Sequence, residues 1–210
     1  MDVSKASSML TTMASMQEKH NIQVHPDWRE KRYEYYRAIW VECAEMLDHF
    51  GWKWWKKQDP DIDQVKLELV DIWHFALSEL IRSGELKESL AMTLANIKTV
   101  DSEPEIFRKA IESLAASSLQ SQSFDMDCFI DAMQALPMGL EELFELYIGK
   151  NVLNQFRQNH GYKEGTYRKL WSGREDNEHL IEVLGALSAE PEQVSEELYK
   201  ELEQRYQASP

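Results

Sequence analysis

The sequence predicts an all-α protein built as a helical bundle. Apolar residues recur at the three- and four-residue spacing of buried helix faces, whereas the alternation expected of strands does not recur. A chain of 210 residues that is 43% hydrophobic, with seven Trp, can bury a core of its own. We therefore predict one domain over residues 1–210, in which residues 84–137 form a weakly specified helical insertion.

The first three helices have the clearest patterns. The first ends near the turn sequence NIQVHPDW and carries the apolar stripe Met9, Leu10, Met13 and Met16. The second spans residues 33–50 and can end at Gly51, because glycine readily adopts the left-handed conformation of a helix end. The third follows the turn sequence KKQDPDID and spans residues 63–83.

The second half of the chain is predicted to contain further helices separated by polar breaks. Two lie between residues 86 and 116, on either side of DSEPE, whose Pro suits the first turn of a helix. The Ser- and Gln-rich sequence SSLQSQSFDMD is predicted to be a linker. Helices are then predicted at residues 128–136 and 140–159, interrupted by PMG, and two amphipathic helices within residues 177–206.

Charge and composition exclude several classes of function. Phosphate neutralisation needs clustered Lys and Arg, so a net charge of −14 predicts no nucleic-acid partner. No apolar run reaches the length of a membrane span or has the form of a signal peptide, so no membrane partner is expected. Cys43 and Cys128 lie in helix-like patterns without C-x-x-C spacing, which predicts neither a disulfide nor a zinc site. We expect a cytoplasmic protein.

Four acids interrupt two otherwise apolar stretches. Glu42 and Glu45 lie three residues apart in the second helix, and Glu68 and Asp71 do so in the third, so each pair shares a helix face. Converging carboxylates repel unless they are protonated or share a cation, and oxygen ligands suit a hard ion such as Mg²⁺. The pattern predicts a phosphate-handling metal site, and its alternative is solvated acids on the rims of two helices.

The block YIGKNVLNQFRQNHGYKEGTYRKLWSGREDN contains a positively charged stretch in a chain whose net charge is negative. Residues 150–174 include six basic residues and a single acid, Glu164. Lys150, Asn154 and Arg157 lie at i, i+4 and i+7, along one face of a helix. The block predicts a polyphosphate clamp, and its alternative is a basic loop that forms salt bridges with acids elsewhere in the chain.

Two smaller features bear on a nucleotide base. Gln17 and Asn21 lie one helical turn apart, and paired amides can read the donors and acceptors of a base edge. The cluster of Trp52, Trp54 and Trp55 fits either a corner of the core or an aromatic lid over a nucleotide, and the core is the more common role of such residues.

Together these motifs resemble those of a known family. ECAE, ELVDIWHF, YIGKNVLNQFRQNHGYKEG and WSGREDN resemble the all-α dimeric dUTPases, within the all-α nucleoside triphosphate pyrophosphatase superfamily that also holds MazG-like enzymes. The paired acids are shared by the whole superfamily, whereas the basic block is more specific. Residues 84–137 match only in helical character. The resemblance implies a bundle of this type and a hydrolase that converts dUTP and dUDP to dUMP, with water attacking the β-phosphate.

The resemblance also implies roles for individual residues. The metal ligands would hold two or three Mg²⁺ ions, or Mn²⁺, and are Glu42, Glu45, Glu68 and Asp71, with Glu42 or Glu45 orienting the attacking water. The nucleoside would be bound by Gln17, Asn21 and Asn154 at uracil, by His74 and Phe75 at deoxyribose, and by Trp54 as an aromatic wall. The phosphates would be bound by Lys150, Arg157, Tyr162, Lys169 and a closing loop with Arg174 and Asn177.

The expected protein partner is a second copy of the chain, and two alternative functions stay open. A homodimer is implied by the resemblance, and the apolar circumference of the second and third helices is in keeping with a covered surface. A related pyrophosphatase with another base preference, such as dCTP or a damaged nucleotide, would keep the four acids with a different amide arrangement. A non-catalytic nucleotide-binding protein would have lost an acid or the clamp.

Overall fold

The fold is all-α, as predicted. The computed structural model describes residues 1–99, 103–187 and 193–209, and this part of the chain contains ten helices and one short hairpin. The elements are α1 (Val3–Val24), α2 (Trp28–Lys31), α3 (Tyr35–Phe50), α4 (Ile62–Ser83), α5 (Glu88–Ala95), α6 (Pro104–Ser121), α7 (Met126–Ala135), α8 (Leu140–Asn159), β1 (Leu170–Trp171), β2 (Arg174–Glu175), α9 (Asp176–Ala186) and α10 (Val194–Ala208).

The chain divides into two compact units, Met1–Phe144 and Glu145–Pro210. In the first unit, α4 is the central helix and packs against α1 and α3. Trp73 of α4 is fully buried, stacks on Phe129 of α7 at 5.2 Å between ring centroids, and donates its indole N–H to the Met13 sulfur at 3.4 Å. One side chain therefore joins three helices. The prediction that both units form a single domain stays a prediction.

The region 84–137, which the sequence specifies weakly, packs against the predicted metal helices. Phe107 of α6 contacts Phe50 of α3 with ring centroids 4.3 Å apart. Arg108, next to it, donates from Nε and Nη2 to the backbone oxygen of Gly51 at 3.2 and 2.9 Å. The insertion thus fixes the point where α3 ends and the loop toward α4 begins.

Most helix predictions are confirmed, including those for α3, α4, α8 and the two C-terminal helices. The linker prediction is wrong for residues 117–121, because α6 continues to Ser121. Ser118 is fully buried and the Ser121 hydroxyl donates to the Ser117 carbonyl at 2.8 Å, so packing and local hydrogen bonding outweigh low helix propensity. The short α2 was not predicted. Of the predicted break DSEPE, Asp101 and Ser102 lie outside the described residues.

The second unit surrounds an aromatic cluster formed by α8, α10 and the hairpin. Phe156 and Trp171 are fully buried, and the rings of Tyr167 and Tyr206 stack at 5.6 Å. The hairpin turns through two residues with positive φ, Ser172 at 50° and Gly173 at 84°, which is the requirement of a tight type I′ turn. The sequence did not predict this hairpin, because each strand is only two residues long.

Two general properties of the chain follow from the described residues. None of their helices has the length and apolar character that crossing a membrane requires. Both cysteines carry free thiols, and burial together with the nearby Glu42 carboxylate raises the pKa of Cys43 to about 12.

Candidate active site

Three of the four predicted metal ligands lie together in the first unit. Glu42 of α3 and Glu68 and Asp71 of α4 each offer a carboxylate oxygen, and these atoms all lie within 4.8 Å of one another. Glu68 is buried, whereas Glu42 and Asp71 are half-buried. The i, i+3 spacing places both acids of α4 on the face that meets α3. The structure therefore brings together acids that the sequence separates by 26 residues or more.

The fourth predicted ligand, Glu45, is outside this cluster. Glu45 lies one turn after Glu42 on α3 and is exposed. His49, a further turn along, has its Nε2 atom 3.5 Å from a Glu68 oxygen. Sequence reasoning did not select His49, although its seven-residue spacing from Glu42 places it on the same face of α3.

The donor set of the cluster fits a divalent cation such as Mg²⁺. All three groups are carboxylates, which are hard oxygen ligands, and the cluster is open enough at Glu42 and Asp71 to leave positions for water or phosphate oxygens. Three carboxylates at this separation repel each other strongly in a partly buried site unless positive charge is shared among them. The residues present therefore suit a metal centre with incomplete protein coordination.

A buried polar network lies on α1 and α4. Gln17 donates from Nε2 to Asn21 Oδ1 at 3.0 Å, and Gln17 Oε1 lies 2.7 Å from Nδ1 of His74. Ser78, one turn beyond His74, lies between the two amides. The two amides and His74, which the resemblance assigns to the nucleoside, therefore share one hydrogen-bonded cluster. Ser78 was not predicted, although its i+4 spacing from His74 places it on the same face.

Aromatic residues flank this network. Phe75 is half-buried and its ring lies 6.4 Å from that of Tyr35. The pKa of Tyr35 is raised to about 12, mainly by burial, while a hydrogen bond to Ser78 opposes the shift. Tyr35 therefore stays protonated at neutral pH and remains a neutral neighbour of the amides.

The cluster of Trp52, Trp54 and Trp55 is not part of the core, which corrects the prediction that these residues form a corner of the core. Trp54 is 89% exposed, and Trp52 and Trp55 are also exposed. The loop that carries them is held through Gln58 instead, whose Oε1 accepts from the backbone N–H groups of Trp52 and Lys53 at 3.1 and 2.8 Å. Trp54 thus presents an open aromatic face near the end of α3.

In the second unit, the predicted basic face of α8 is organised around an acid that sequence reasoning missed. Arg157 donates from Nε and Nη2 to the two carboxylate oxygens of Asp176, each at 2.8 Å, and from Nη1 to Asn154 Oδ1 at 3.1 Å. Lys150 is almost fully buried and donates to Asn177 Oδ1 at 3.1 Å. Four predicted residues therefore lie together, and Asp176, the partner of Arg157 at the start of α9, is fully buried.

The pKa of Asp176 reflects two opposing effects. Burial alone would raise the pKa, but the hydrogen bonds and positive charge of Arg157, with help from Tyr167, hold it below its usual value. The Tyr167 hydroxyl donates to Asp176 at 2.8 Å, and burial together with this carboxylate raises the pKa of Tyr167. Asp176 is therefore ionised at neutral pH and fixes the Arg157 guanidinium in one orientation.

The remaining predicted phosphate ligands are exposed. Lys169 pairs with Glu175 at 3.0 Å, and Arg174 at the hairpin pairs with Glu182 at 3.0 Å. Tyr162 is 53% exposed in the turn that follows α8. The salt-bridge alternative is therefore realised for these two cations, with acids that directly follow the basic block in the sequence.

The fold and the acidic cluster define an all-α protein with a candidate centre for metal-dependent phosphate chemistry. A family model for dUTPase matches residues 9–162, which include the acidic cluster, the buried amides and Arg157. No curated protein matches the chain. Because the family match covers more than half of the sequence, the chain belongs to the dUTPase family. It is a dUTP diphosphatase, a hydrolase that acts on phosphoric anhydrides, and the resemblance is confirmed.

The Arg157 and Asp176 pair generates a test of stability. Replacing Asp176 with Asn leaves a buried guanidinium without its counter-charge, so we expect the free energy of unfolding to fall by about 3 kcal/mol near pH 7. Because the Asp176 pKa is depressed in the folded protein, the difference from the wild type should persist above the unfolded value of 3.8 and disappear as pH falls through the folded value. Urea denaturation of both proteins over a pH series measures this difference in the free energy of unfolding.

The control for this test is Glu164→Gln, which changes an exposed acid in the same basic block. It should alter the free energy of unfolding by less than about 0.5 kcal/mol at every pH. A cost for Asp176→Asn as small as that of Glu164→Gln would contradict the role assigned to the pair.

Proposed function

We propose that this dUTPase hydrolyses dUTP to dUMP and diphosphate at a Mg²⁺ centre held by Glu42, Glu68 and Asp71, with Glu45 as a further ligand. The proposal rests on the convergence of three carboxylates from two helices within 4.8 Å. Bound Mg²⁺ would neutralise phosphate oxygens and act as a Lewis acid there, with Mn²⁺ as an alternative ion. Two or three ions are proposed when substrate is bound, because the open faces of the cluster leave positions for phosphate oxygens.

The proposed reaction is an in-line displacement at the β-phosphorus. Glu42 or Glu45 would orient a water molecule and accept its proton while the water oxygen bonds to the β-phosphorus. The bond from that phosphorus to the oxygen bridging to the α-phosphate breaks, so dUMP leaves with that oxygen. The same attack on dUDP yields dUMP and phosphate, which makes both nucleotides substrates.

The nucleoside is proposed to bind at the α1 and α4 network. Gln17 and Asn21 would read the uracil edge, and Trp54 would supply an aromatic wall. For Asn154, in the second unit, a role at uracil is proposed from the family resemblance alone. His74 and Phe75 would enclose the deoxyribose, where a close ring leaves no room for a 2′-hydroxyl. Burial of both amides supports this assignment, since a hydrogen-bond mismatch costs most where water is excluded.

Phosphate binding is proposed for cations of the second unit. The residues are Lys150, Arg157, Tyr162, Lys169, Arg174 and Asn177. The fixed guanidinium of Arg157 and the buried ammonium of Lys150 support the assignment, because charges held in place need no reorganisation as negative charge shifts during the reaction.

A homodimer and a cytoplasmic location remain proposals. The apolar residues of α4, which first suggested a second copy, are already buried within one chain, so that part of the reasoning is wrong. Trp40 and Val41 of α3 are exposed directly before Glu42, and these side chains and the family resemblance support a dimer. A second copy that covers these side chains would lie beside the metal ligands.

The metal ligands can be tested with charge-removing substitutions. Asp71→Asn keeps the side-chain size but removes a negative oxygen, so turnover should fall about a hundredfold or more, since even outer-shell partners of a metal contribute tenfold to hundredfold. The control is Asp63→Asn, an exposed acid in the first turn of the same helix. Folded Asp71→Asn protein with near-normal turnover, or full activity of the wild type in excess chelator, would refute the metal site.

The reaction can be tested with a substrate panel in ¹⁸O-labelled water. We expect dUTP and dUDP to yield dUMP, with dTTP and UTP as poor substrates. Attack at the β-phosphorus places the ¹⁸O in diphosphate from dUTP and in phosphate from dUDP, and mass spectrometry reads the label. Label in dUMP would show attack at the α-phosphorus, and equal turnover of the four common deoxynucleoside triphosphates would exclude uracil recognition.

The dimer can be tested by sedimentation at micromolar concentration. We expect a species of twice the 24.6 kDa chain mass. Val41→Glu should weaken association because it places a charge on the exposed face of α3, whereas Leu119→Glu, at an equally exposed position of α6, should not. A fully active species with the mass of one chain would show that the dimer is not required.

A further inference from the structure

Ser78 lies at the centre of the buried network and has no role in the reaction proposed above. The network contains Gln17, Asn21, His74 and Ser78, none of them more than 8% exposed. Ser78 Oγ lies 3.0 Å from both Gln17 Nε2 and Asn21 Nδ2. It also lies 3.0 Å from the His74 carbonyl oxygen and 3.3 Å from Asn21 Oδ1. Every polar side chain of the network therefore depends on this one hydroxyl, directly or through a neighbour.

A count of donors and acceptors shows what the hydroxyl does. A serine hydroxyl has one donor and two acceptor positions. Its two lone pairs accept from the two amide NH₂ groups, and its one hydrogen is shared among the His74 carbonyl, Asn21 Oδ1 and the Tyr35 hydroxyl oxygen. Because an amide oxygen only accepts, the 2.7 Å contact at Gln17 Oε1 requires His74 to donate from Nδ1.

These bonds fix the sense of both amides, that is, which end of each amide carries the oxygen. Turning Asn21 over would place its NH₂ group against the NH₂ group of Gln17. Turning Gln17 over would place its oxygen against the oxygen of Asn21 and would require the His74 proton to move from Nδ1 to Nε2. Either reversal leaves buried donors or acceptors without partners, which costs roughly 1–3 kcal/mol per group.

The sense of an amide is also the property that separates uracil from cytosine. Uracil has an N–H donor at position 3 and a carbonyl acceptor at position 4, whereas cytosine has an acceptor and an amino donor at the same places. An amide that matches one base must be reversed to match the other. An amide free to turn would accept both bases and discriminate poorly.

We propose that Ser78 is a positioning residue that determines base specificity, because its hydroxyl holds the Gln17 and Asn21 amides in the sense that accepts uracil and rejects cytosine. The inference rests on the proposed base-reading role of these amides. Ser78 does not touch the reacting phosphate, so its effect falls on nucleotide affinity and selectivity, and not on the chemical step.

The first test replaces Ser78 with Ala and compares dUTP with dCTP. The ratio of kcat/KM for dUTP over dCTP should fall about tenfold, through KM, with kcat nearly unchanged. Ser118→Ala is the matched control, because Ser118 is also fully buried and its hydroxyl makes no hydrogen bond within the described part of the chain. Ser78→Thr keeps the hydroxyl and should retain the selectivity. An unchanged ratio in folded Ser78→Ala overturns the proposal.

The second test reverses the orientation of the Asn21 amide, whereas Ser78→Ala only frees the amides to turn. In Gln17→Glu the carboxylate offers acceptors only, so Asn21 must turn its NH₂ group toward residue 17 and its oxygen toward Ser78, which can then donate. We expect dCTP to gain relative to dUTP by about tenfold or more. A variant that loses both substrates equally contradicts the mechanism, and this arm does not depend on whether Ser78→Ala folds.

A third variant separates this inference from the proposed function. Asn21→Ala removes a base-reading amide and should raise KM for dUTP at least tenfold. If KM is unchanged, the base does not bind at this network, and both the nucleoside site and the role of Ser78 are wrong. If Asn21→Ala raises KM while Ser78→Ala leaves the dUTP to dCTP ratio unchanged, only the role of Ser78 is wrong.

Discussion

The packing of α3 against α4 is the interaction on which the rest of the structure depends, because it must hold three carboxylates within 4.8 Å of one another. Repulsion between these groups favours separation of the two helices. The opposing contribution comes from buried apolar side chains of α4, since Leu67 and Ile72 beside the acids and Trp73 on the opposite face are completely buried. Each buried side chain of this size contributes about 1.5–3 kcal/mol, so the core keeps the helices together in the absence of a cation. Buried apolar side chains of α4 thus contribute stability, while its carboxylates belong to the proposed metal site.

The same helix sets the separation between the acidic cluster and the amide network, which form the two ends of the proposed nucleotide site. Glu68 and Asp71 belong to the acidic cluster, and His74 and Ser78 follow on the next two turns within the amide network. At about 1.5 Å per residue, Glu68 and Ser78 lie about 15 Å apart along the helix axis. Because both clusters lie on one buried helix, a triphosphate and a base bound as proposed would be positioned by a single element. Substitutions in the core of α4 would therefore disturb both clusters at once.

Local patterns predicted most helices and the paired acids, because both follow from spacing along one helix. Features that depend on contacts between segments were missed or misassigned. The sequence around Ser118 predicts a linker, yet Ser118 is fully buried in α6. The Trp cluster predicts a corner of the core, yet Trp54 is 89% exposed. Asp176 and Ser78 were overlooked because their importance lies in partners 19 and 57 or more residues away, Arg157 and the α1 amides. Hydrogen bonds of that kind leave no periodic signal in a sequence.

The second unit contains cations of two physical kinds, and the difference matters for phosphate binding. Arg157 is held by a bidentate contact to fully buried Asp176, so its guanidinium is fixed in one orientation. Lys169 and Arg174 form exposed pairs with acids, and such pairs contribute little, about 0–1 kcal/mol. They can exchange a carboxylate for a phosphate at small cost. Buried pairing therefore fixes the Arg157 guanidinium in place, whereas exposed pairing leaves cations that can turn toward a phosphate, and the proposed polyphosphate site would use both.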